Sequence, residues 1–486
     1  MSRLPSYYKC LAKQSRIAHL NAFISLADGA SVISTTPDTH GSFSGKSIAI
    51  KDNICTSDLP TTAGSGILKD FISPYDATVV RRLQDAGAVI MGKTNMDEFG
   101  MGSHSMHSYF GPVKQLGRGE EGISAGGSSG GSAVAVKSGY CDVALGTDTG
   151  GSVRLPAAYT GIVGFKPSYG LLSRWGVIAY ANSLDTVGIL ANSVDMVRQT
   201  FNLLNKYDPQ DPTSLVPSTR SRLRTPKSAE TPLRIGIPLE YNVSTLKPAI
   251  RDAWICALRL LQSKGHTLHS VSLPATRHAL SAYYILAPAE ASSNLAKYDG
   301  VRYGSRAEGI DGTPQSVLFA KTRGEGFGPE VRRRILLGTF SLSAQAIDNY
   351  FIQAQKIRRL VQQDFDNAFS APNPLVSSTS PSVSNSSGVD VLLCPTAPTL
   401  PQLISNIENQ DSVSETMSDV FTVPASLAGL PAISIPISIR EDHNDPDLSK
   451  AGVEQTAGMQ IIGQYGDDRL VLDVASQLEV RQRVKI

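Results

Sequence analysis

The chain has 486 residues, 41% of them hydrophobic and 18% charged, which is enough apolar sequence for a large globular core. Its 45 lysines and arginines almost balance its 43 aspartates and glutamates. The net charge of +2 therefore gives no electrostatic reason to expect direct, non-specific binding to nucleic acid. The five cysteines are scattered and form no Cys-x-x-Cys pair, which argues against a disulfide framework or a structural zinc site and fits a reducing compartment.

The amino-terminal segment is basic and contains several serines, with no acidic residue before Asp28. This composition is typical of a mitochondrial presequence. An ordinary basic first helix has the same composition, and the sequence from Leu20 to Ile24 already resembles folded structure. The residues leave both interpretations open.

Predicted helices and strands alternate in the next part of the chain. Residues Val79–Ala86 have a short helical pattern, and Ala88–Met91 follow as a strand. Ser132–Ser138 favour a short helix, Asp142–Thr147 favour a buried strand, and a tight turn at 148–151 leads into another helix. This alternation favours an α/β fold with a layered sheet.

The second half of the chain has a similar mixture of elements. Residues 208–232 are rich in proline, serine, threonine and charge, and they predict a surface loop before a strand at Leu233–Ile237. Apolar residues recur at helical spacing from Ile250 to Leu261 and from Val331 to Phe369. This spacing predicts helices packed over one side of the sheet.

Two further segments need a specific interpretation. The serine-rich segment Pro372–Gly388 has almost nothing to bury and predicts a disordered loop insertion, because a strand pattern resumes at Val389–Leu393. The longest uncharged stretch, Val420–Ile439, contains three prolines, which would repeatedly break a membrane-spanning helix. Buried strand and helix segments are predicted there instead.

Two short motif matches are misleading. Residues 87–94 satisfy the phosphate-loop pattern, but the residues between its glycines are apolar and strand-like, whereas a phosphate loop is polar and flexible. Residues 126–130 satisfy the Gly-x-Ser-x-Gly elbow pattern of hydrolases. The segment before them is charged and glycine-rich instead of an apolar strand. We expect neither function at these positions.

One lysine and two serines form a more informative set. Lys51 ends an apolar strand pattern, Ser128 lies in the sequence Gly-Gly-Ser-Ser-Gly-Gly-Ser, and Ser152 follows a second pair of glycines. Glycine allows the backbone to approach a ligand closely. Each feature alone is more often structural, as a lysine that reaches solvent or serines in turns. The three together predict a Ser-Ser-Lys nucleophilic site.

The chemistry of acyl transfer explains these residue types. A serine hydroxyl is a weak nucleophile until a base removes its proton, and lysine is a base only when burial keeps its amine uncharged. Ser128 would accept a proton from Ser152 and donate its own to Lys51. The predicted oxyanion hole consists of the backbone N–H groups of Thr149, Gly150, Gly151 and Ser152.

In these segments the chain resembles the amidase signature family. The resemblance extends over Gly45–Asp195 and resumes at Cys394–Pro398 and Asp419–Pro436. It implies that Ser152 is the nucleophile, Ser128 the bridging serine beside a cis peptide bond, and Lys51 the base.

The same resemblance implies the architecture. We expect a single large α/β/α layered domain over residues 1–486, with a central mixed β-sheet covered by helices. The helical layer would lie at about residues 250–370, and the serine-rich loop insertion at 372–388.

Within this family the chain is similar to the glutamine-hydrolysing subunits of glutamyl-tRNA(Gln) amidotransferases. The segments that carry this similarity are Gly164–Gly170, Glu290–Gly304, Phe327–Thr339 and Asp419–Pro431. The similarity implies a glutamine pocket in which Arg334 binds the substrate carboxylate, Asp419 meets the α-ammonium group, and Tyr283 completes the pocket. Ser129 is also assigned to this pocket. From sequence alone, Arg334 could be a helix-surface arginine and Asp419 a helix cap.

The similarity also implies partners and cofactors. The chain would belong to a hetero-oligomer with B-like and C-like subunits, and it would pass ammonia to a partner that activates glutamyl-tRNA. No cofactor is expected in this chain, because ATP and magnesium would be used by the partner, which would also make most of the tRNA contacts. No membrane contact is expected, and the insertion at 372–388 suggests an organellar, mitochondrial version.

Two other functions use the same residues. A free-standing amidase would act on aryl or aliphatic amides, although a clamp made by Arg334 and Asp419 has no use for a neutral apolar amide. A catalytically silent assembly subunit is the other alternative, and the intact lysine and serines argue against it.

Overall fold

The computed structural model of the chain describes residues 18–28, 41–115, 122–223, 227, 229–313, 315, 317–376, 385–410, 416–450 and 452–479. The basic segment at residues 1–17, for which a presequence and a first helix were both considered, lies outside the described residues. The same holds for residues 377–384 of the serine-rich insertion. The described ends of that insertion form turns and bends.

Eleven strands form one mixed sheet. They are β1 (Phe23–Leu26), β2 (Ser47–Lys51), β3 (Val89–Thr94), β4 (Val143–Asp148), β5 (Val163–Lys166), β6 (Thr186–Ala191), β7 (Arg234–Pro238), β8 (Thr267–Val271), β9 (Val391–Pro395), β10 (Ala432–Ser438) and β11 (Thr456–Gly463). Their order across the sheet is β1-β3-β2-β4-β6-β5-β10-β11-β9-β7-β8.

The strand directions are mixed. Strand β2 is parallel to its neighbours β3 and β4, and β7 is parallel to β8 and β9. The other neighbouring pairs are antiparallel. Strands β2, β4 and β11 are buried along their whole length, as expected for central strands covered on both faces. This sheet and its helices confirm the predicted α/β fold class.

Helices cover the sheet. They are α1 (Thr78–Asp85), α2 (Gly130–Lys137), α3 (Arg154–Thr160), α4 (Val194–Leu204), α5 (Pro217–Arg220), α6 (Pro248–Ser263), α7 (Ala279–Asn294), α8 (Ala320–Gly326), α9 (Pro329–Ser341), α10 (Phe351–Ala368), α11 (Ile404–Glu408), α12 (Val423–Leu427), α13 (Pro446–Lys450) and α14 (Asp468–Leu478). Helix α2 packs on β4 and β6, α6 packs on β9 and β11, and α7 packs against α9 and α10.

Most local predictions are confirmed. Helices α1, α2 and α6 and strands β3, β4, β7 and β9 occur where the sequence predicts them, with ends that differ by a few residues. The predicted helical stretch 331–369 is divided into α9 and α10, and the predicted loop 208–232 contains the short helix α5. The uncharged stretch 420–439 forms α12 and β10, as expected.

The rejected phosphate-loop match lies in strand β3. Its lysine, Lys93, is fully buried, and its Nζ lies 3.4 Å from Asp52 Oδ1 and 2.7 Å from Thr61 Oγ1. This lysine therefore serves the interior of the fold. Among the described residues, the helices are too short or too polar to cross a membrane.

A glycine sets the distance between α7 and α9. A Cβ atom on Gly338 of α9 would lie 1.9 Å from the carbonyl oxygen of Pro288 in α7. No side chain fits in that space, so the two helices are in backbone contact at this point. Their separation fixes where residues of α9 lie relative to those of α7.

We expect Gly338→Ala to lower the free energy of unfolding by about 1–3 kcal/mol, because the added methyl group must push the two helices apart. Chemical unfolding of the purified protein measures this change. Gly324→Ala is the matched control, since a Cβ there has no neighbour within 4 Å and alanine is the better helix former. Equal stability of the two variants would contradict the close helix contact.

Candidate active site

The amine of Lys51 lies at the centre of the site. Lys51 is the last residue of β2, and the neighbouring parallel strands β3 and β4 and helix α2 leave its side chain fully buried. Its Nζ lies 2.8 Å from Ser128 Oγ, 2.8 Å from Ser129 Oγ and 3.4 Å from the carbonyl oxygen of Thr147. The strand therefore places the amine in contact with residues 126–132, which we call the first serine cluster; residues 150–152 are the second.

Burial changes the acid–base behaviour of this lysine. It lowers the pKa of Lys51 to about 7, although the charges of Asp97, Asp148 and Asp185 act in the opposite direction. Near neutral pH a large fraction of the amine is therefore uncharged. An uncharged amine can accept a proton, which is the property required of a base in acyl transfer.

The first serine cluster is held in a crowded loop. The peptide bond between Gly127 and Ser128 is cis, as the family resemblance implies. A Cβ atom on Gly127 would lie 2.3 Å from Asp97 Oδ2 and 2.6 Å from the backbone nitrogen of Ser105, so only glycine fits there. The loop places Ser128 Oγ beside Lys51, with the serine almost fully buried.

The second serine cluster lies against the first. The backbone N–H of Ser129 donates a hydrogen bond of 3.1 Å to the carbonyl oxygen of Ser152, and Ser152 retains 8% of its surface exposed. Among the hydrogen bonds of the described residues, none joins Ser128 Oγ to Ser152 Oγ. The structure thus contains the predicted contact between Lys51 and Ser128, whereas Ser152 is adjacent through the backbone only.

The turn between β4 and α3 presents several backbone donors. Within the described part of the chain, the N–H groups of Thr149, Gly150, Gly151 and Ser152 have no hydrogen-bond acceptor in the protein. The hydroxyl of Thr149 donates to Asp185 Oδ1 at 2.7 Å, which fixes one end of the turn. We call residues 149–152 the oxyanion turn, because unpaired N–H groups beside a serine suit a tetrahedral oxyanion.

A buried ion pair holds the other side of this turn. Arg154 donates from Nε and Nη2 to the two carboxylate oxygens of Asp148, at 3.0 and 2.8 Å. The same carboxylate accepts a hydrogen bond from the backbone N–H of Val153. Burial opposes ionisation of Asp148, but the Arg154 charge and these hydrogen bonds hold its pKa below the ordinary value. The pair closes the turn into a rigid loop.

Arg334 is buried, unlike the two arginines that precede it in α9. It retains only 3% of its surface exposed, so the helix-surface interpretation does not describe it. Its Nη1 donates to Tyr180 Oη at 2.7 Å, and its Nε donates to Glu330 Oε1 at 2.6 Å. Its guanidinium carbon also lies 5.2 Å from the ring centroid of Tyr284. Together these contacts give the guanidinium a fixed orientation.

Asp419 is buried and faces the same region. Its Oδ2 accepts a hydrogen bond of 2.6 Å from Ser103 Oγ and a longer one of 3.5 Å from Tyr284 Oη. Helix α12 has no side-chain cap, so the capping interpretation does not apply to it. Burial raises the pKa of Asp419 to about 6, against the effects of Ser103 and Arg334. The carboxylate is therefore mostly charged at neutral pH.

Two of the three predicted clamp residues, Tyr283 and Asp419, lie against the oxyanion turn. A Cβ atom on Gly150 would meet the ring and hydroxyl of Tyr283 at 2.7–3.1 Å, and one on Gly151 would lie 3.3 Å from Asp419 Oδ1. Tyr283 and Asp419 thus border the two glycines of the turn, and Tyr284 connects Asp419 with Arg334. The three predicted clamp residues come from α7, α9 and the segment before α12.

Ser129 occupies a different position from the other pocket residues. Its Oγ contacts Lys51 Nζ at 2.8 Å and the Thr147 carbonyl oxygen at 3.3 Å, and its side chain is fully buried. These contacts orient the lysine amine.

The sequence interpretation missed several residues of the site. Tyr180, Tyr284, Ser103, Glu330 and Asp185 all contact predicted site residues. The only local signal was that Tyr284 directly follows Tyr283. The others were given no role by any motif, and only the fold connects them with the site.

Comparison with known proteins identifies the family. Residues 21–472 match the protein family described as Amidase. The A subunit of the mitochondrial glutamyl-tRNA(Gln) amidotransferase of Emericella nidulans is 55% identical, with 99% of this chain and 100% of that protein covered. Its counterpart in Coccidioides posadasii is also 55% identical, with 99% of each chain covered. The crystal structure of the corresponding glutamyl-tRNA(Gln) amidotransferase protein from Thermotoga maritima has a TM-score of 0.75 and 33% identity, covering 98% of this chain and 91% of that one.

We expect Arg154→Met to lower the free energy of unfolding by about 3–5 kcal/mol, because it leaves the Asp148 carboxylate buried without its charged partner. Chemical unfolding measures the change. Arg198→Met is the matched control: its ion pair with Asp473 is partly exposed, and its loss should cost less than about 1 kcal/mol. A small effect of Arg154→Met would contradict the role of this pair in closing the turn.

Proposed function

Because the chain belongs to the amidase family, we propose that it is the glutamine-hydrolysing subunit of a mitochondrial glutamyl-tRNA(Gln) amidotransferase. The observation that carries this proposal is the 55% identity to the Emericella nidulans protein, which extends over 99% of this chain and all of that protein. The names of these relatives agree with the mitochondrial location expected from the sequence. The continuous 11-stranded sheet supports the proposal that the chain is one catalytic domain.

The proposed reaction begins with Ser152. Its Oγ attacks the side-chain amide carbon of glutamine, while its proton passes to Ser128 Oγ and the proton of Ser128 passes to Lys51 Nζ. The backbone contact between the two serine clusters supports this route, and rotation of the Ser152 side chain would complete it. The protonated lysine then returns a proton through Ser128 to the amide nitrogen.

The second half of the reaction releases the products. The carbon–nitrogen bond breaks, ammonia leaves, and a γ-glutamyl ester remains on Ser152. Water attacks this ester with the same base and releases glutamate. The oxyanion turn would stabilise the negative oxygen in both tetrahedral intermediates, and each such donor typically contributes about 2.7–4 kcal/mol.

Glutamine recognition would use the buried charges. Arg334 would bind the α-carboxylate, Asp419 the α-ammonium group, and Tyr283 would line the side chain near the amide. A buried cation, Arg334, and a buried anion, Asp419, support glutamine over the neutral amides of a free-standing amidase, because glutamine carries both complementary charges. The ion pair with Glu330 would hold Arg334 in place for this contact. The lowered pKa of Lys51 supports a catalytic role over a silent one.

The expected partners follow from this function. We propose that B-like and C-like subunits complete the enzyme, and that a partner consumes ATP with magnesium to activate glutamyl-tRNA and receives the ammonia. This chain itself would need no cofactor. The near-zero net charge of the chain supports tRNA contact mainly through the partners.

The proposed function is tested with the complex purified with its partner subunits. Wild-type complex should amidate glutamyl-tRNA(Gln) with either glutamine or ammonium chloride as the nitrogen source. Ser152→Ala should lose at least about 10³-fold of the glutamine-dependent rate while keeping the ammonium-dependent rate, because it removes the nucleophile only. Full glutamine-dependent activity of this variant, or no amidation by the wild type, would contradict the proposal.

Glutamine hydrolysis should depend on pH through Lys51. The amine accepts a proton only when uncharged, so kcat/KM should rise with pH through about 7 and fall about tenfold per pH unit below it. Protonation of Asp419 below about 6 should steepen the decline. The measurement is ammonia release by the complex between pH 5 and 9.

Two variants separate these contributions. Lys51→Arg should be inactive across the whole range, because a guanidinium stays protonated. Asp419→Asn should raise KM and lose the steeper part below pH 6. A wild-type profile that is flat between pH 6 and 8 would contradict the assignment of Lys51 as the base.

A further inference from the structure

A buried carboxylate connects the two halves of the site. Asp185 lies just before β6 and is almost fully buried, and its carboxylate accepts three hydrogen bonds. Its Oδ1 accepts from Thr149 Oγ1 at 2.7 Å, and its Oδ2 accepts from the backbone N–H groups of Tyr180 and Ala181 at 2.9 and 3.0 Å. The two carboxylate oxygens thus bind different segments of the chain.

The first oxygen fixes the oxyanion turn. Thr149 is the first residue after β4, and its N–H belongs to the donor set that faces the proposed oxyanion. Because its hydroxyl is bound to Asp185, rotation of the turn about Thr149 would break a buried hydrogen bond.

The second oxygen, Oδ2, holds the backbone of Tyr180, the residue whose hydroxyl binds Arg334. Tyr180 is held at its N–H by Asp185 and at its carbonyl oxygen by Asn294 Nδ2 at 3.0 Å. Its hydroxyl accepts the 2.7 Å hydrogen bond from Arg334 Nη1. An unbroken path of buried contacts therefore runs from Thr149 through Asp185 and Tyr180 to Arg334.

We propose that Asp185 is a positioning residue that fixes the distance between Arg334 and the oxyanion turn, so that the site selects substrates by the number of carbons between α-carboxylate and amide. This inference rests on the proposed function, because it takes Arg334 as the carboxylate-binding group. Asp185 does not touch the substrate. It holds Arg334 and the oxyanion turn at a fixed distance from each other. A substrate that is one methylene group too long or too short for a pocket typically loses about 10–200-fold in kcat/KM.

The test compares three amides that differ by one methylene group: asparagine, glutamine and the homologue with one carbon more. Ammonia release by the purified complex gives kcat/KM for each. Wild type should show a maximum at glutamine. Asp185→Asn, which cannot accept from Thr149 and from the Tyr180 and Ala181 amides with the same geometry, should lower the preference for glutamine at least about tenfold.

Two conservative variants break the path at its ends, in case Asp185→Asn does not fold. Thr149→Val removes the hydroxyl but leaves the backbone N–H, and Tyr180→Phe removes the hydroxyl that accepts from Arg334 Nη1. Each should flatten the chain-length profile. The double variant should lose no more of the preference for glutamine than the more affected single variant. Breaking either contact already frees the distance between Arg334 and the oxyanion turn, so the second change adds nothing.

Thr200→Val is the matched control for Thr149→Val. It also removes a buried threonine hydroxyl, but that hydroxyl donates to the Met196 carbonyl oxygen at 2.8 Å within helix α4, and none of the path residues contacts it. It should leave the chain-length profile unchanged. Multiplicative losses in the double variant, unchanged profiles in all three path variants, or a wild type that does not distinguish the three amides would overturn the inference. Absence of any glutamine hydrolysis by the wild type would instead refute the proposed function.

Discussion

The burial of one amine governs the rest of this structure. Lys51 ends a central strand whose two neighbours run parallel to it, and its side chain has no exposed surface. An isolated buried ammonium group is unfavourable, and the fold lowers the pKa of this lysine instead of pairing it with a carboxylate. Two serine hydroxyls and a carbonyl oxygen take the contacts that a counter-ion would otherwise have.

The three carboxylates around Lys51 explain how this state is maintained. Asp148 is bound by Arg154, Asp185 by Thr149 and two backbone N–H groups, and Asp97 by the backbone N–H groups of Ser105 and His107. Within the described parts of the chain, no ion pair joins any of them to Lys51. Each carboxylate is hydrogen-bonded to groups other than Lys51, so it raises the pKa of the Lys51 amine only from a distance.

Local signals in the sequence led to the predicted catalytic residues, of which the structure brings Lys51 and Ser128 into contact. The strand that carries Lys51 and the two glycine-serine clusters are short segments whose composition is unusual for a core. Their geometry depends on neighbouring strands, β2 and β4, which are parallel and adjacent. The helices α6, α9 and α10 were likewise predictable, because their apolar spacing is a property of each helix alone.

The proposed substrate-binding half could be predicted only by resemblance, because its contacts join residues far apart in the chain. The hydrogen bond from Arg334 to Tyr180 joins residues 154 positions apart, and that from Ser103 to Asp419 joins residues 316 apart. No periodicity or motif relates such positions.

The same long-range contacts make the site a product of the whole fold. Lys51 and the serines belong to the half of the sheet around β2, β4 and α2, whereas Arg334 and Tyr283 belong to helices that touch at Gly338. The sheet order, in which β6 lies between β4 and β5, brings Asp185 beside the turn after β4. Backbone contact at Gly338 fixes α9 against α7, and Asp185 links the oxyanion turn through Tyr180 to Arg334 on α9. In the proposed function, the pocket length would therefore be set by packing and hydrogen bonds. Single surface substitutions would have little effect on a chain-length preference set in this way, since Gly338 and Asp185 are both buried.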